Sequence, residues 1–213
     1  RKSIDDLVTL VRQSSEMQFS IGRDWVLKTA LMLTEADVRF TVKNFDSERV
    51  RIIQSQWKEI HDCIVATFTM IRRFGLNDHS LRAKNAAIPL AYYLYKQTFK
   101  DKPLHQSINN LNNLRYERMA LSRWLHMALL RGIFGGQADG VLGKMRDLLK
   151  KHLSKRAFPM DEIIDDFKAT NKDLRFDDAY LEGLLEMQYE DSRCRSVLSL
   201  AFPEINENLQ LDI

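Results

Sequence analysis

Apolar residues recur along this chain at the three- and four-residue spacing of helices, most clearly between Ser47 and Phe74. At about 100° per residue, Val50, Ile53, Trp57, Ile60, Ile64, Phe68 and Ile71 fall within an arc of about 80°. Arg51, Ser55, Lys58, Glu59, Asp62 and Arg73 lie opposite. The spacing predicts one long helix over residues 47–74, roughly 40 Å at about 1.5 Å per residue, with Gly75 as its C-terminal cap. Ile53, Trp57, Ile60, Ile64, Phe68 and Ile71 are expected to be buried, and Arg51, Asp62 and Arg73 exposed.

The remaining segments also follow the helical period. A first helix starts at Ser3, with Ile4, Leu7, Val8 and Val11 inward, and a second spans about Arg23 to Leu33. From Glu35 to Phe45 the chain reads as irregular or extended, with Val38, Phe40 and Val42 alternating. After the polar turn Asn77-Asp78-His79-Ser80 comes a helix to about Phe99, carrying Pro89 in its first turn and Asn85 as a cap. A further long helix near Leu114–Ile133 places Leu114, Leu121, Trp124, Leu125, Ala128 and Gly132 inward. Phe134-Gly135-Gly136 breaks the chain, and a helix beginning at Ala138 or Asp139 runs to about Ser154. Three shorter helices follow, from Pro159, Asp177 and Glu190. Short connections favour antiparallel neighbours. The expected fold is all-α, an irregular multi-helix bundle of about eight or nine helices around the long central helix (47–74).

Charge divides the chain more sharply than its overall +3 implies. Asp161 to Asp191 holds eleven acids against three bases, whereas residues 1–158 carry a net +12. This predicts a basic helical body (1–158) and an acidic C-terminal section (159–213) packed together. A hydrophobic content of 45% over 213 residues is enough for a sizeable core. No apolar run approaches the roughly 20 residues of a membrane helix, and no signal peptide pattern opens the chain. Two distant cysteines, Cys63 and Cys194, suggest buried thiols in a reduced, cytoplasmic setting. A start at Arg1 and an abrupt apolar end at Ile213 suggest an excised piece of a longer polypeptide.

Candidate chemistry is sparse. His61, His79, His105, His126 and His152 have no partner at the spacing of a metal site, so no metal or cofactor is expected. His61-Asp62-Cys63 has the residue types of a nucleophile set, but consecutive helical positions diverge by about 100°. Asp161, Glu162, Asp165 and Asp166 have the residue types of a metal-dependent nuclease, yet they alternate with Ile163, Ile164 and Phe167 as a solvated helix face does. Phe134 to Gly140 lacks the lysine and the preceding strand of a phosphate loop. No catalytic residue is assigned.

The strongest polar feature is Lys144, Arg146, Lys150, Lys151, Lys155 and Arg156. On a helix, Lys144, Lys151 and Lys155 fall within about 40° along one edge of the apolar face formed by Val141, Leu142, Met145, Leu148, Leu149 and Leu153. Arg146 and Lys150 line the other edge. Such a row suits the phosphate backbone of duplex DNA, which rewards cations without base-specific geometry. Lysines rimming a buried face also occur for packing alone.

Several blocks in order resemble the middle and end of GmrSD-type bacterial defence proteins, the family with a DGQQR motif in its N-terminal domain. They are Arg23-Asp24-Trp25-Val26-Leu27-Lys28, Val42-Lys43-Asn44-Phe45, Trp57-Lys58-Glu59-Ile60, Phe74-Gly75-Leu76-Asn77 and Leu81–Tyr95. Trp124-Leu125, Phe134 to Leu142, and Tyr189 to Pro203 continue the series. The resemblance implies a helical region between a nucleotide-using ParB/sulfiredoxin-like domain and an HNH-type nuclease domain. Neither DGQQR nor the nuclease DHIFP-like motif occurs here, so no catalytic residue carries over. The implied role is a non-catalytic connector that holds flanking domains in register and contacts DNA. The alternative is a helical protein–protein interaction domain with no nucleic-acid role, its basic body docking an acidic partner or its own acidic segment.

Overall fold

The computed structural model describes residues 2–37, 44–110, 112–136, 138–155, 157–188 and 190–203. Ten α-helices occur among them: α1 (Lys2–Gln13), α2 (Arg23–Leu33), α3 (Ser47–Ser55), α4 (Trp57–Arg73) and α5 (Ala87–Lys96). The rest are α6 (Arg115–Leu130), α7 (Ala138–Lys151), α8 (Met160–Phe167), α9 (Asp178–Leu185) and α10 (Cys194–Ala201). Thr98–Phe99 (β1) and Lys102–Pro103 (β2) form a two-residue antiparallel hairpin turned by Lys100 and Asp101, both at positive φ. The fold is an all-α bundle. No helix of the described residues is long and apolar enough to cross a membrane.

The central helix is α5. Every residue from Ala87 to Leu94 is buried, as an element apolar on all sides must be. It packs against α2, α4 and α7. Its tyrosines keep their rings inside and send their hydroxyls to three other segments. Tyr92 donates to Glu35 at 2.7 Å and Tyr95 to Gln56 at 2.9 Å, while Tyr93 donates to Glu117. Pro89 sits in the first turn as expected, but Asn85 does not cap the helix. It belongs to a short 3-10 turn, Lys84–Ala86, that leads into α5 without a side-chain cap.

The expected 47–74 helix is two helices broken at Gln56 (φ −100°, ψ 7°). Backbone bonds bridge the break, from Gln56 N–H to Ile52 O and from Ile60 N–H to Gln56 O. Two side chains hold it open. Ser55 Oγ donates back to Ile52 O at 2.9 Å, and the Gln56 side-chain Oε1 accepts from the Tyr95 hydroxyl. Ile53, Ile60, Ile64, Phe68 and Ile71 are buried as expected, but Val50 is 36% exposed, because α3 leaves the core at its start. Trp57 and Asp62 are half-buried, and Gly132 is exposed in a turn rather than inward. The expected extended arm with Val38, Phe40 and Val42 falls on residues 38–43, which lie outside the described residues.

Gly75 ends α4 as expected, at φ +78°, with its N–H on Arg72 O and the Leu76 N–H on Ile71 O. The Arg195 guanidinium of α10 lies over it, so a Cβ there would come within 1.8 Å of Nη2. Gly75→Ala therefore combines left-handed strain, about 1–2 kcal/mol, with displacement of Arg195. A drop in stability of at least about 1 kcal/mol is expected on urea denaturation. An unchanged midpoint would show that the turn relaxes without cost.

The acidic section lies on the basic body. α8 packs on α7 through Ile163 and Phe167, and α10 packs on α6 through Ser196 and Ser199. Asp177 caps α9 by accepting from Tyr180 N–H at 2.8 Å, and the Tyr180 hydroxyl donates to Leu130 O at 2.6 Å. Cys63 is buried and donates its thiol to Ala91 O, whereas Cys194 is only half-buried, contrary to expectation; both are free.

Candidate nucleic-acid interface

On α7, Val141, Leu142, Met145 and Leu149 are buried with Lys144, Arg146, Lys150 and Lys151 at the rims, but the helix ends at Lys151 rather than near Ser154, so Lys155 lies in the turn beyond it. The helix is anchored at its first turn, where Asp139 accepts from Lys28 Nζ at 2.7 Å. Most of the cations already face protein groups. On one edge, Lys144 Nζ lies 2.8 Å from Asp166 Oδ2, donates to Asp166 O at 2.6 Å, and sits 4.4 Å from the Phe167 ring centre. Lys155 pairs with Glu162 of the same helix, α8. On the other edge, Lys150 lies 3.1 Å from Glu35 Oε2, and Arg146 Nη1 donates to Ala36 O at 2.5 Å. Lys151 is exposed and has no ion-pair partner among the described residues; Arg156 lies outside them.

Glu35 draws these contacts together. Burial works to raise its carboxyl, but the Tyr92 hydroxyl, Lys150 and Lys96 outweigh that and hold it below the usual range. The Lys144 and Lys155 pairs are partly exposed, with side-chain accessibilities of 37% and 42% for the first and 52% and 33% for the second. Pairs of this kind contribute about 0–1 kcal/mol. They are readily exchanged for another anion.

The acidic cluster is dispersed by α8. Glu162 and Asp166 turn to the lysines, while Asp161 and Asp165 are exposed. Among the described residues no three His, Cys, Asp or Glu side chains gather as metal ligands would. His61 Nδ1 does reach its neighbour Asp62 at 3.0 Å, closer than helical divergence implied. Cys63 nevertheless points inward to Ala91, and its burial pushes the thiol up, away from the reactive thiolate. Near Gly135 and Gly136 the chain turns, with Gly136 at φ +72°, and Lys172 Nζ donates to Gly135 O at 2.9 Å.

A second basic surface escaped the sequence reading. A cleft of about 1010 Å³ opens between the C-terminal end of α4, the residues Asn109, Asn110 and Asn112, α6 and the end of α10. Arg73, Arg115, Arg118 and Arg123 line it, and none of its described lining residues is acidic. Arg115, Arg118 and Arg123 share one side of α6 with Met119, Ser122 and Met127, opposite the buried Leu121, Trp124 and Ala128. Their i, i+3, i+8 spacing was the available signal. Arg73, which completes the set, comes from a different helix.

No known family model matches this chain, and no curated protein matches it.

Proposed function

We propose that this chain is a non-catalytic helical connector of a GmrSD-like DNA-restriction or phage-defence protein. Its basic body grips the acidic C-terminal section and offers the α7 row to duplex DNA. The observation that carries this reading is the α7–α8 seam. Lys144 and Lys155 hold Asp166 and Glu162 by partly exposed pairs, the kind of contact a phosphate can replace. Lys151, on the same edge, is exposed beside them. The ordered blocks from Arg23 to Pro203 support the family assignment.

The same pairs favour a second reading, a protein–protein module in which the row exists to dock α8 and has no nucleic-acid role. Fluorescence anisotropy with a labelled duplex at low and moderate salt separates the two. With DNA contact, wild-type binding is sequence-indifferent and falls steeply with salt, by about 0.9 log units of affinity per log unit of salt for each phosphate neutralised. Changing Lys144, Lys151 and Lys155 together to Glu is then expected to reduce affinity at least about tenfold. Equal anisotropy for wild type and triple variant at low salt would remove the row as a DNA contact and leave the docking module.

A further inference from the structure

We infer that the outward face of α9 is a docking site for a basic amphipathic helix of another protein. No residue of α9 is buried. Leu181 is 45% exposed and Leu185 87%, on a two-turn helix whose leucines would ordinarily pack on the body. At about 100° per residue, Leu181, Leu185, Asp178 and Glu182 fall within an arc of about 100°, with the leucines along one side and the acids along the other. Glu186 continues the acidic side at the helix C-cap. All three acids are exposed, and none has an ion-pair partner among the described residues. Tyr180 projects from the opposite side and ties the helix to the body. Its ring stacks on Phe176 at 5.4 Å and lies 4.6 Å from the Arg131 guanidinium, and its hydroxyl donates to Leu130 O at 2.6 Å.

The charge of this face selects its partner. Acids four residues apart repel along a helix, and an acid at the C-terminal end opposes the helix dipole, so α9 carries charges that its own folding does not reward. The arginines on either side of it in sequence are committed elsewhere, Arg175 to Asp173 at 2.6 Å and Arg193 to Asp191 at 2.7 Å. Leucines flanked by glutamates form one half of a two-helix seam, whose other half carries apolar residues flanked by lysine or arginine. A second α9 would set acid against acid. Residues 204–213 of the chain hold Glu204, Glu207 and Asp212 and no base, so they carry the wrong sign as well. Nucleic acid and anionic membrane surfaces are repelled on the same ground. A basic helix with leucine-like side chains on one face satisfies both stripes at once.

The test is fluorescence anisotropy of the whole chain with a labelled amphipathic model helix of leucine and lysine, and with a leucine–glutamate helix of the same pattern as control. The wild type is expected to bind the lysine helix, less tightly as salt rises, and to ignore the glutamate helix. Leu181→Ala/Leu185→Ala should weaken binding at least about tenfold, as loss of the apolar anchors of an interface does. Glu182→Lys/Glu186→Lys should abolish it and confer binding of the glutamate helix instead. Asp161→Asn/Asp165→Asn, on the exposed side of α8, should leave binding unchanged, which separates a site on α9 from general attraction to the acidic section. Because the altered side chains are exposed, circular dichroism of every variant should match the wild type. The triple lysine variant of α7 should also bind as wild type, so this site and the duplex reading fail separately. The inference is overturned if the wild type binds neither helix, if either α9 variant binds the lysine helix as wild type does, or if the α8 variant loses as much. It is equally overturned if sedimentation shows the chain self-associating through Leu181 and Leu185, which assigns the face to a second copy.

Discussion

Trp124→Ala is expected to lower folding stability by about 3–5 kcal/mol, the usual cost of removing a large aromatic side chain from a packed core. Trp124 is fully buried on the inner face of α6 and is the largest of the wholly buried side chains. Its ring meets Phe134 edge-on at 6.2 Å and Phe158 at 5.9 Å, and Phe158 in turn meets Tyr93 of α5 at 5.1 Å. The indole thus joins α6 to the central helix and to the turns at both ends of α7. The indole N–H has no hydrogen-bond partner among the described residues. Trp124→Phe removes that unmet donor, whose burial costs about 1–3 kcal/mol, while it keeps most of the packing. The phenylalanine variant should therefore lose far less than the alanine variant, and Val50→Ala, at a 36% exposed position, should lose least. Urea midpoints measured for the three variants give the order directly. Similar losses for Trp124→Ala and Val50→Ala would contradict the assigned core.

Helix α2 was legible to the residue because its ends are local: a glycine before Arg23 and a turn after Leu33 are written in neighbouring positions. The inner face of α4 was legible for the same reason, since its period is carried by its own residues. The break at Gln56 was not. It comes with a contact from Tyr95, 39 residues further along, whose hydroxyl donates to the Gln56 side-chain Oε1. Nor did periodicity reveal which helix is central. A periodic stripe marks a helix that shows one face to the core, so it drew attention to the segment 47–74. The aperiodic, apolar run of α5 is what a helix buried on all sides looks like.

At the candidate interface, the edges of α7 followed from its spacing, but what the cations face did not. Lys150 meets Glu35, 115 positions away, and Arg146 meets Ala36 across a similar distance. Only the folded chain brings them together. Lys144 and Lys155 find their partners in α8, within the section of opposite sign. The arginine cleft needed the fold as well. Three of its arginines lie on α6, but only the packing of α4 and α10 around them makes a cleft out of a charged helix side.

Acidification from neutral pH is expected to destabilise the chain through His126. This histidine is 1% exposed in α6, with Nδ1 3.0 Å from Ser196 Oγ of α10 and Nε2 without a hydrogen-bond partner among the described residues. Burial pushes its pKa down to about 4, helped by the charge of Arg195 and opposed by the Phe74 backbone. In the unfolded chain the same side chain titrates near its ordinary value of about 6.5. Between those values the unfolded state binds a proton that the folded state refuses, so stability falls as the pH falls. At about 1.4 kcal/mol per unit, the loss approaches about 3 kcal/mol by pH 4, while stability above about pH 7 is insensitive to this group. His105, buried and likewise shifted down by burial, adds a smaller loss of the same sign. Carboxylates held low, such as Asp191 at about 2 beside Arg193, begin to add losses only as the pH nears their unfolded values of about 4, and Glu117, whose carboxyl burial pushes up, acts in the opposite sense. A protonated His126 would face Arg195 across the α6–α10 contact, so α10 should loosen first. Urea denaturation of wild type and His126→Asn at pH 7, 5.5 and 4.5 provides the check. The wild type should lose stability at each step and the asparagine variant only the smaller share left by His105 and the carboxylates; parallel losses in the two proteins would clear His126 of the role.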